Sequence, residues 1–389
     1  MIRGAGRLAA LALVLVSACT APVPPPPHLV LRPTGFDRLP GWAADDLSGA
    51  LDAFARSCRI LLKAPPARLG EIELAPSDWQ EPCAALAGVT SGEAARRLIE
   101  TGFVPVQLFD HDRAQGLFTG YYEAELHGAR RPDARFGVPL YRRPPDLVTA
   151  DLSRFRTGWA GEHVSGRLAG STLLPYPSRA EIEAGALTGR GLELLWVDSA
   201  IDAFFLAIQG SGRVILPDGT VVRLGYDGDN GHPYVAIGRK LVERGIPPEA
   251  ISMASLRDWI AEHGAEGTAL MAENPSYVFF REIAGDGPIG AEGVVLTPGR
   301  CAAVDHRFIP YGLPLWVDTS DAPDGRLRRL FVAQDTGGAI RGPVRADLFF
   351  GYGPAAADHA GRLKGTGSAW LLVPKPAVAR WFDQKRSGA

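Results

Sequence analysis

Two aspartates near the C-terminus carry the strongest chemical signal. Asp335 and Asp347 each lie at or near the end of an apolar run, and Asp347 leads directly into Leu348-Phe349-Phe350. Apolar neighbours disfavour the charged form of a carboxyl group, so its pKa rises and it can stay protonated near neutrality. A general acid that breaks a glycosidic bond needs that property. The competing role is structural. An aspartate ahead of Thr336-Gly337-Gly338 can cap a turn by accepting backbone N–H bonds, and for Asp335 both roles stay open.

Three other stretches are dense in groups that suit carbohydrate: Phe118–Glu123, Ile208–Gly212 with Gly225–Gly231, and Asn274–Phe280. Aromatic rings stack on sugar faces, while amides and hydroxyls read sugar hydroxyls. Thr119, Tyr121, Tyr122, Glu123, Gln209, Ser211 and Tyr277 are therefore candidate substrate-binding residues, with burial in a core the alternative for the tyrosines. Other chemistries lack their patterns. Gly210-Ser211-Gly212 is not the Gly-x-Ser-x-Gly elbow of a serine hydrolase. Gly351-Tyr352-Gly353 lacks dinucleotide-fingerprint spacing. Asp227–Gly231 lacks the terminal glutamate of an EF-hand. The eight histidines are scattered and no Cys-x-x-Cys occurs, so neither a metal nor a cofactor is expected. A net charge of −2 offers no basic footprint for nucleic acid.

These residues need elements to hold them. At roughly 150 residues per domain, 389 residues make two or three domains. Helical periodicity covers 42–62 and 92–108, with Ser91 as N-cap of the second. From Gly116 the texture changes to short apolar runs between turn residues. Leu117–Tyr122, Leu192–Trp196, Ala203–Ile208 and Val214–Leu216 read as strands, and Pro217-Asp218-Gly219-Thr220 as a hairpin turn. Helices are expected at Tyr234–Arg244 and at Leu256–His263, the latter capped by Ser255. Strands return at Val294–Leu296, Pro314–Val317 and Arg329–Ala333, joined by the glycine-dense turns Gly285–Gly293 and Gly337–Gly342.

The N-terminus reads as an address. Arg3 and Arg7 precede Leu8–Val16, a run too short for a bilayer, which needs about 20 apolar residues. Val16-Ser17-Ala18-Cys19 resembles a bacterial lipobox, with Cys19 the lipid-attachment site; an ordinary signal peptide with a coincidental cysteine is the alternative. Thr20, not Asp, at the next position implies the outer membrane. Acyl chains anchor at about 0.8 kcal/mol per buried methylene, and Ala21–Pro27 forms a stiff tether. Export permits disulfides. A Cys58–Cys83 bridge is expected to staple the N-terminal helices, against the alternative of two buried thiols. Cys301 is expected to stay unpaired in the core.

Phe118–Glu123, Gln209-Gly210-Ser211-Gly212, Asn274–Phe280 and Gln334-Asp335…Gly342…Asp347…Gly351 together resemble the membrane-bound lytic transglycosylase A family, from about Phe36 to Lys375. The C-terminal stretch resembles its 3D domain, whose aspartates match Asp305, Asp335 and Asp347. The resemblance implies a mainly β fold with N-terminal helices: a double-psi β-barrel plus a second, inserted β-domain, with a groove between them. It implies a signal peptide at 1–18, a lipid-anchored tether at 19–35, a helical part of the barrel domain at 36–118, the inserted glycan-binding domain at 119–271, the catalytic barrel part at 272–375 and a tail at 376–389. The implied activity is that of a lyase. It cleaves the MurNAc–GlcNAc β-1,4 bond of peptidoglycan without water and leaves 1,6-anhydromuramoyl ends, with Asp347 catalytic and Asp335 beside it. A hydrolase using both aspartates and a non-enzymatic peptidoglycan-binding lipoprotein are the alternatives. Implied partners are glycan strands, the outer membrane through the lipid, with the protein facing the periplasm, and other cell-wall enzymes. A monomer is the default state. One departure is a loop, Arg341–Ala346, a residue longer than the family pattern, which leaves Arg345 unplaced.

Overall fold

A computed structural model describes residues 25–387 apart from 90, 157–158, 160–162, 286 and 323–324. The expected signal run, Cys19 and the start of the tether lie outside the described residues. The rest of the expected tether is not free chain, since Leu29–Pro33 is a strand paired antiparallel with Phe103–Asp110, and the expected tail is a helix, Lys375–Ser387, that buries Ala377, Val378 and Trp381. Among the described residues no helix is long and apolar enough to cross a membrane.

The N-terminal segment is helical, as its periodicity predicts. Helix α1 (Ser48–Leu61) buries Ala50, Leu51, Phe54, Cys58 and Leu61, a stripe at helical spacing. A disulfide joins Cys58 to Cys83 on α2 (Gln80–Ala85). Ser91 caps α3 (Gly92–Gly102), its Oγ accepting the Ala94 N–H at 3.2 Å. The expected helix to Leu108 stops early. Phe103–Asp110 is strand β1, because Pro105 cannot continue a helix and Val104 and Val106 favour a pleated surface.

Strand β2 (Gly116–Ala129) organises the rest. Three further expectations fail after it. Ala203–Ile208 is not a strand but part of helix α4 (Ala200–Gln209), started by the Ser199 cap on Asp202 N–H and ended by left-handed Gly210. A short, fully apolar run fits a buried helix as well as a strand, and the caps decide. The turn at 217–220 forms as expected between β3 (Ser211–Ile215) and β4 (Val221–Asp229). Helix α5 (Met253–Glu262) is capped by Ser252 rather than Ser255; the Ser252 Oγ accepts the Ser255 N–H at 3.1 Å. Strand β5 (Val278–Glu282) closes this region. Val294–Leu296 forms no strand, only an isolated bridge from Val295 to Ile289, because flanking glycines hold it in turns.

The C-terminal part contributes β6 (Cys301–Val304), β7 (Pro314–Ala322), β8 (Gly325–Asp335), β9 (Arg345–Tyr352), α6 (Gly353–Arg362) and β10 (Lys364–Pro374). Their order in one large sheet is β1-β10-β7-β8-β6-β9-β2-β3-β4-β5. The first half of β2 lies parallel to β9 and antiparallel to β10; its second half lies parallel to β3. Phe118 thus joins the large core around Trp316, Phe331 and Leu348, while Ala124 and Leu126 join a smaller one with Val214, Leu224 and Phe280.

The Cys58–Cys83 bond closes a loop with a sequence separation of 25. Loop-closure entropy then gives about 3–4 kcal/mol of stabilisation. Cys83→Ala is expected to lower the unfolding free energy of oxidised protein by that amount, read as a lower urea midpoint at unchanged slope, and to make unfolding insensitive to reductant. An unchanged midpoint would refute the bond's role.

Candidate active site

Strand β6 lies between β8 and β9, and its Ala303 is in register with both Asp335 and Asp347. Two strand spacings place the two backbones roughly 10 Å apart. The β6–β8 register shifts between Ala302 and Ala303, with Gln334 the extra residue on β8, and this brings Asp335 opposite Ala303. Its neighbour Gln334 points the other way, into the core. There the Gln334 Nε2 donates to Ala53 O and Ser57 Oγ, both at 2.8 Å, and its Oε1 accepts from the Cys301 thiol at 2.7 Å. Cys301 is unpaired and buried, but it serves as a hydrogen-bond donor rather than as a plain apolar filler.

Asp347 is half-buried. Its Oδ1 accepts from the Thr119 hydroxyl at 2.7 Å, and the Arg345 Nη2 donates to the same hydroxyl at 2.8 Å. Thr119 stands directly opposite Asp347 in the β2–β9 register. Burial pushes the Asp347 carboxyl above its ordinary range, while the Arg345 charge and the Thr119 hydrogen bond pull part of that shift back. Among the described residues, Asp347 Oδ2 makes no hydrogen bond.

Both Asp335 oxygens are engaged. Oδ2 accepts from Tyr121 Oη at 2.8 Å, and Oδ1 accepts from the backbone N–H groups of Ala291 at 3.0 Å and Thr336 at 2.9 Å. Burial raises its pKa; these donors oppose the shift, and the nearby Asp347 charge adds to it. The Tyr121 ring packs on Phe349 with centroids 5.1 Å apart. Asp305 has a different task. Arg307 grips it through Nε at 2.9 Å and Nη2 at 2.7 Å, and the Gly342 N–H reaches it at 2.8 Å. Burial works against its charge, yet these donors hold its carboxyl below the usual range. Asp305 thereby pins the loop that delivers the chain to β9.

Thr119, Tyr121, Asp335 and Asp347 are brought together as the sequence suggests. The other candidates lie elsewhere. Glu123 is fully buried, paired with Arg223 at 3.1 Å, so it is an interior carboxyl group rather than a sugar contact. Tyr277 packs in a core cluster with Tyr141, Tyr176 and Phe279, and the Arg179 guanidinium lies 5.2 Å from its ring; it too is an interior residue. Gln209 Oε1 accepts the Tyr122 N–H at 3.2 Å, which ties the end of α4 to β2. Tyr122 projects from the opposite face of β2 to Tyr121 and packs on the smaller core. Ser211 opens β3 opposite Gly225. Arg345 is a site residue that sequence reading leaves unplaced, although its position two before Asp347 on one strand puts both on one face.

Residues 117–281 match the family model for the MltA specific insert domain, and residues 300–373 match the 3D domain. Membrane-bound lytic murein transglycosylase A of Vibrio cholerae is 34% identical over 304 residues, 75% of each chain. The chain belongs to the membrane-bound lytic murein transglycosylase A family. The crystal structure of such a transglycosylase from Agrobacterium tumefaciens superposes with a TM-score of 0.80 at 36% identity, covering 90% of this chain and 99% of that one. E. coli MltA with bound chitohexaose gives 0.66 at 27% identity, covering 90% and 95%. In this family member the site draws Thr119 and Tyr121 from the insert match and the two aspartates from the 3D match.

The raised pKa of Asp347 has a stability consequence. The folded carboxyl binds its proton more tightly than the unfolded one, so folding is penalised as pH rises from the unfolded value, near 3.9, through the folded value. Asp347→Asn is expected to gain melting temperature over that window and to gain nothing below it. A pH-independent difference in thermal melts would contradict the assignment.

Proposed function

We propose that this chain is a lytic transglycosylase that cleaves the MurNAc–GlcNAc β-1,4 bond of peptidoglycan and leaves a 1,6-anhydromuramoyl end. The observation that carries the reading is the unequal state of the two aspartates. Asp347 keeps one oxygen uncommitted and sits where burial favours its protonated form. Asp335 has both oxygens held by three donors. One free acid suits an intramolecular nucleophile; a two-carboxylate hydrolase needs a second carboxylate free to act on water or sugar.

Asp347 donates its proton to the glycosidic oxygen as the bond to MurNAc C1 breaks. The resulting carboxylate faces the oxocarbenium-like sugar and stabilises it. It then takes the proton of the C6 hydroxyl of the same MurNAc as that oxygen closes on C1. Well-oriented intramolecular attack reaches effective molarities of about 10⁵ M or more, so no positioned water is required. Thr119 and Arg345 orient the carboxylate, and Asp335 with Tyr121 shapes the wall beside it.

The reading includes the finer architecture: a double-psi barrel with an inserted β-domain and a groove between them, with segments at 1–18, 19–35, 36–118, 119–271, 272–375 and 376–389. The parallel pairings of β6 with β8 and of β2 with β9 support the barrel. The passage of β2 from the large core to the small one supports a boundary near 119. The chain acts as a monomer on the periplasmic side of the outer membrane, anchored through Cys19; the membrane-bound relatives and the lipobox support this.

Asp347→Asn is expected to cut anhydromuropeptide release from sacculi at least about 100-fold, the contribution of a general acid–base, while chitohexaose binding is retained. Asp335→Asn should lose less. Wild-type rate should fall as pH climbs past the raised Asp347 pKa. Mass spectra showing reducing MurNAc ends from wild type would overturn the mechanism. Separately, Cys19→Ser should leave the protein soluble or unprocessed on fractionation; a variant still held in the outer membrane would remove the anchor.

A further inference from the structure

Beyond Tyr121, the same face of β2 carries a second group of charges. Alternation along a strand places Thr119, Tyr121, Glu123 and Glu125 on one side. Register adds Arg213 of β3 opposite Glu125, and Arg223 of β4 opposite Arg213. The other side of these strands, with Ala124, Leu126, Val214 and Leu224, is core.

The cluster is poorly matched within the protein. Arg223 donates from Nη2 to the buried Glu123 Oε2 at 3.1 Å. Arg213 Nε lies 3.4 Å from Glu125 Oε2, too poorly aimed to bond it. Its guanidinium rests on the Tyr352 ring, 4.3 Å from the centroid, and Tyr352 is 54% exposed. Glu123 Oε1, Arg213 Nε and Arg223 Nη1 are buried without a hydrogen bond. Two like charges directly opposite each other on paired strands are also unfavourable. Buried polar atoms left in this state cost stability, although each arginine also has a glutamate oxygen within 3.4 Å. An anion at the exposed ends of the two guanidinium groups, whose side chains are 17% and 11% exposed, would offset their mutual repulsion.

We propose that Arg213 and Arg223 form a carboxylate subsite for the acid groups carried on the lactyl arm of MurNAc, either the lactyl carboxylate itself or those of an attached stem peptide. The proposal rests on the glycan-cleaving reading above. A guanidinium fork matches a carboxylate in geometry as well as charge. Glu123 lies four residues past Thr119, about 13 Å along the strand. The subsite therefore addresses a substituent on a sugar away from the scissile bond, not the reacting atoms. Glu123 beneath Arg223 is a positioning residue. Burial favours its neutral form, against the pull of Arg223 and Arg213, which leaves the cluster net positive when that proton is bound. A plain chitooligosaccharide carries no carboxylate, so the subsite distinguishes peptidoglycan from chitin-like glycans.

The test uses the full chain carrying Asp347→Asn, so that bound glycans persist, with Arg213→Gln and Arg213→Lys added separately. Calorimetric titration compares three probes: chitohexaose, a peptide-free MurNAc–GlcNAc oligosaccharide, and the same oligosaccharide with stem peptides. Arg213→Gln should weaken binding of a carboxylate-bearing probe about tenfold relative to chitohexaose, the equivalent of one charge-assisted hydrogen bond. Arg213→Lys should recover part of that loss. Selective loss with the peptide-free probe assigns the lactyl carboxylate; loss only with the stem-bearing probe assigns the peptide acids. Equal changes for all three probes, or no change, overturn the subsite. Anhydro ends released by the wild type are measured alongside. Their presence without carboxylate selectivity sinks only the subsite, whereas their absence sinks the activity on which it rests.

Discussion

Strand β2 must satisfy two cores at once. Its first half lies between β9 and β10 and supplies Phe118 to the larger core; its second half supplies Ala124 and Leu126 to the smaller. Between these anchors, Thr119 and Tyr121 have their positions fixed by register with β9 rather than by side-chain preference. Close packing imposes a further demand at Gly120. A Cβ there would stand 2.7 Å from Ala360 Cα and 2.8 Å from Phe350 Cε2, so α6 can seat against β2 only over a glycine. A shift of β2 by one residue would turn Thr119 and Tyr121 away from both aspartates.

Given that placement, the electrostatics follow from how much protein surrounds each carboxyl group and how many donors reach it. Asp305, Asp335 and Asp347 have the same chemistry and three different settings. Arg307 and a backbone N–H keep Asp305 charged. Three donors immobilise Asp335 while burial keeps its affinity for protons high. Asp347 meets one hydroxyl, itself held by Arg345, and retains a free oxygen. A nearby glutamate extends the pattern. Burial lifts Glu292 to about 7 although Ser57 donates to it at 2.6 Å. Ser57 is also bonded by Gln334, the residue before Asp335, so α1 buttresses the site from behind. Such an assembly carries a stability cost that the rest of the fold must offset.

The parts of this arrangement that local sequence encodes were legible in it. Asp347 is legible because apolar Leu-Phe-Phe follows it directly, and Thr119 and Tyr121 because their stretch is dense in rings and hydroxyls that suit a sugar. The Ser91 cap and the 217–220 turn are legible for similarly local reasons. Glu123 and Tyr277 misled because burial is set by what another segment lays over them: Arg223 over one, Arg179 and Tyr141 over the other. The run 203–208 misled because six apolar residues in a row carry no period, and only Ser199 and Gly210 at its ends mark a helix. Arg345 needed the β2–β9 pairing, which sequence periodicity does not disclose.

The continuity of β2 also bears on how such a protein can change over generations. An insertion carried in a surface loop can be lengthened, replaced or lost while its host keeps working. Here the segment matched by the insert model begins inside a strand that the 3D segment needs as a neighbour. Cutting at that seam would leave β9 with an unpaired edge in one fragment and β2 with another in its counterpart, an invitation to aggregate. The two segments are separable as sequence patterns but not as folding units, so substitutions on either side of the seam are bound to be selected together.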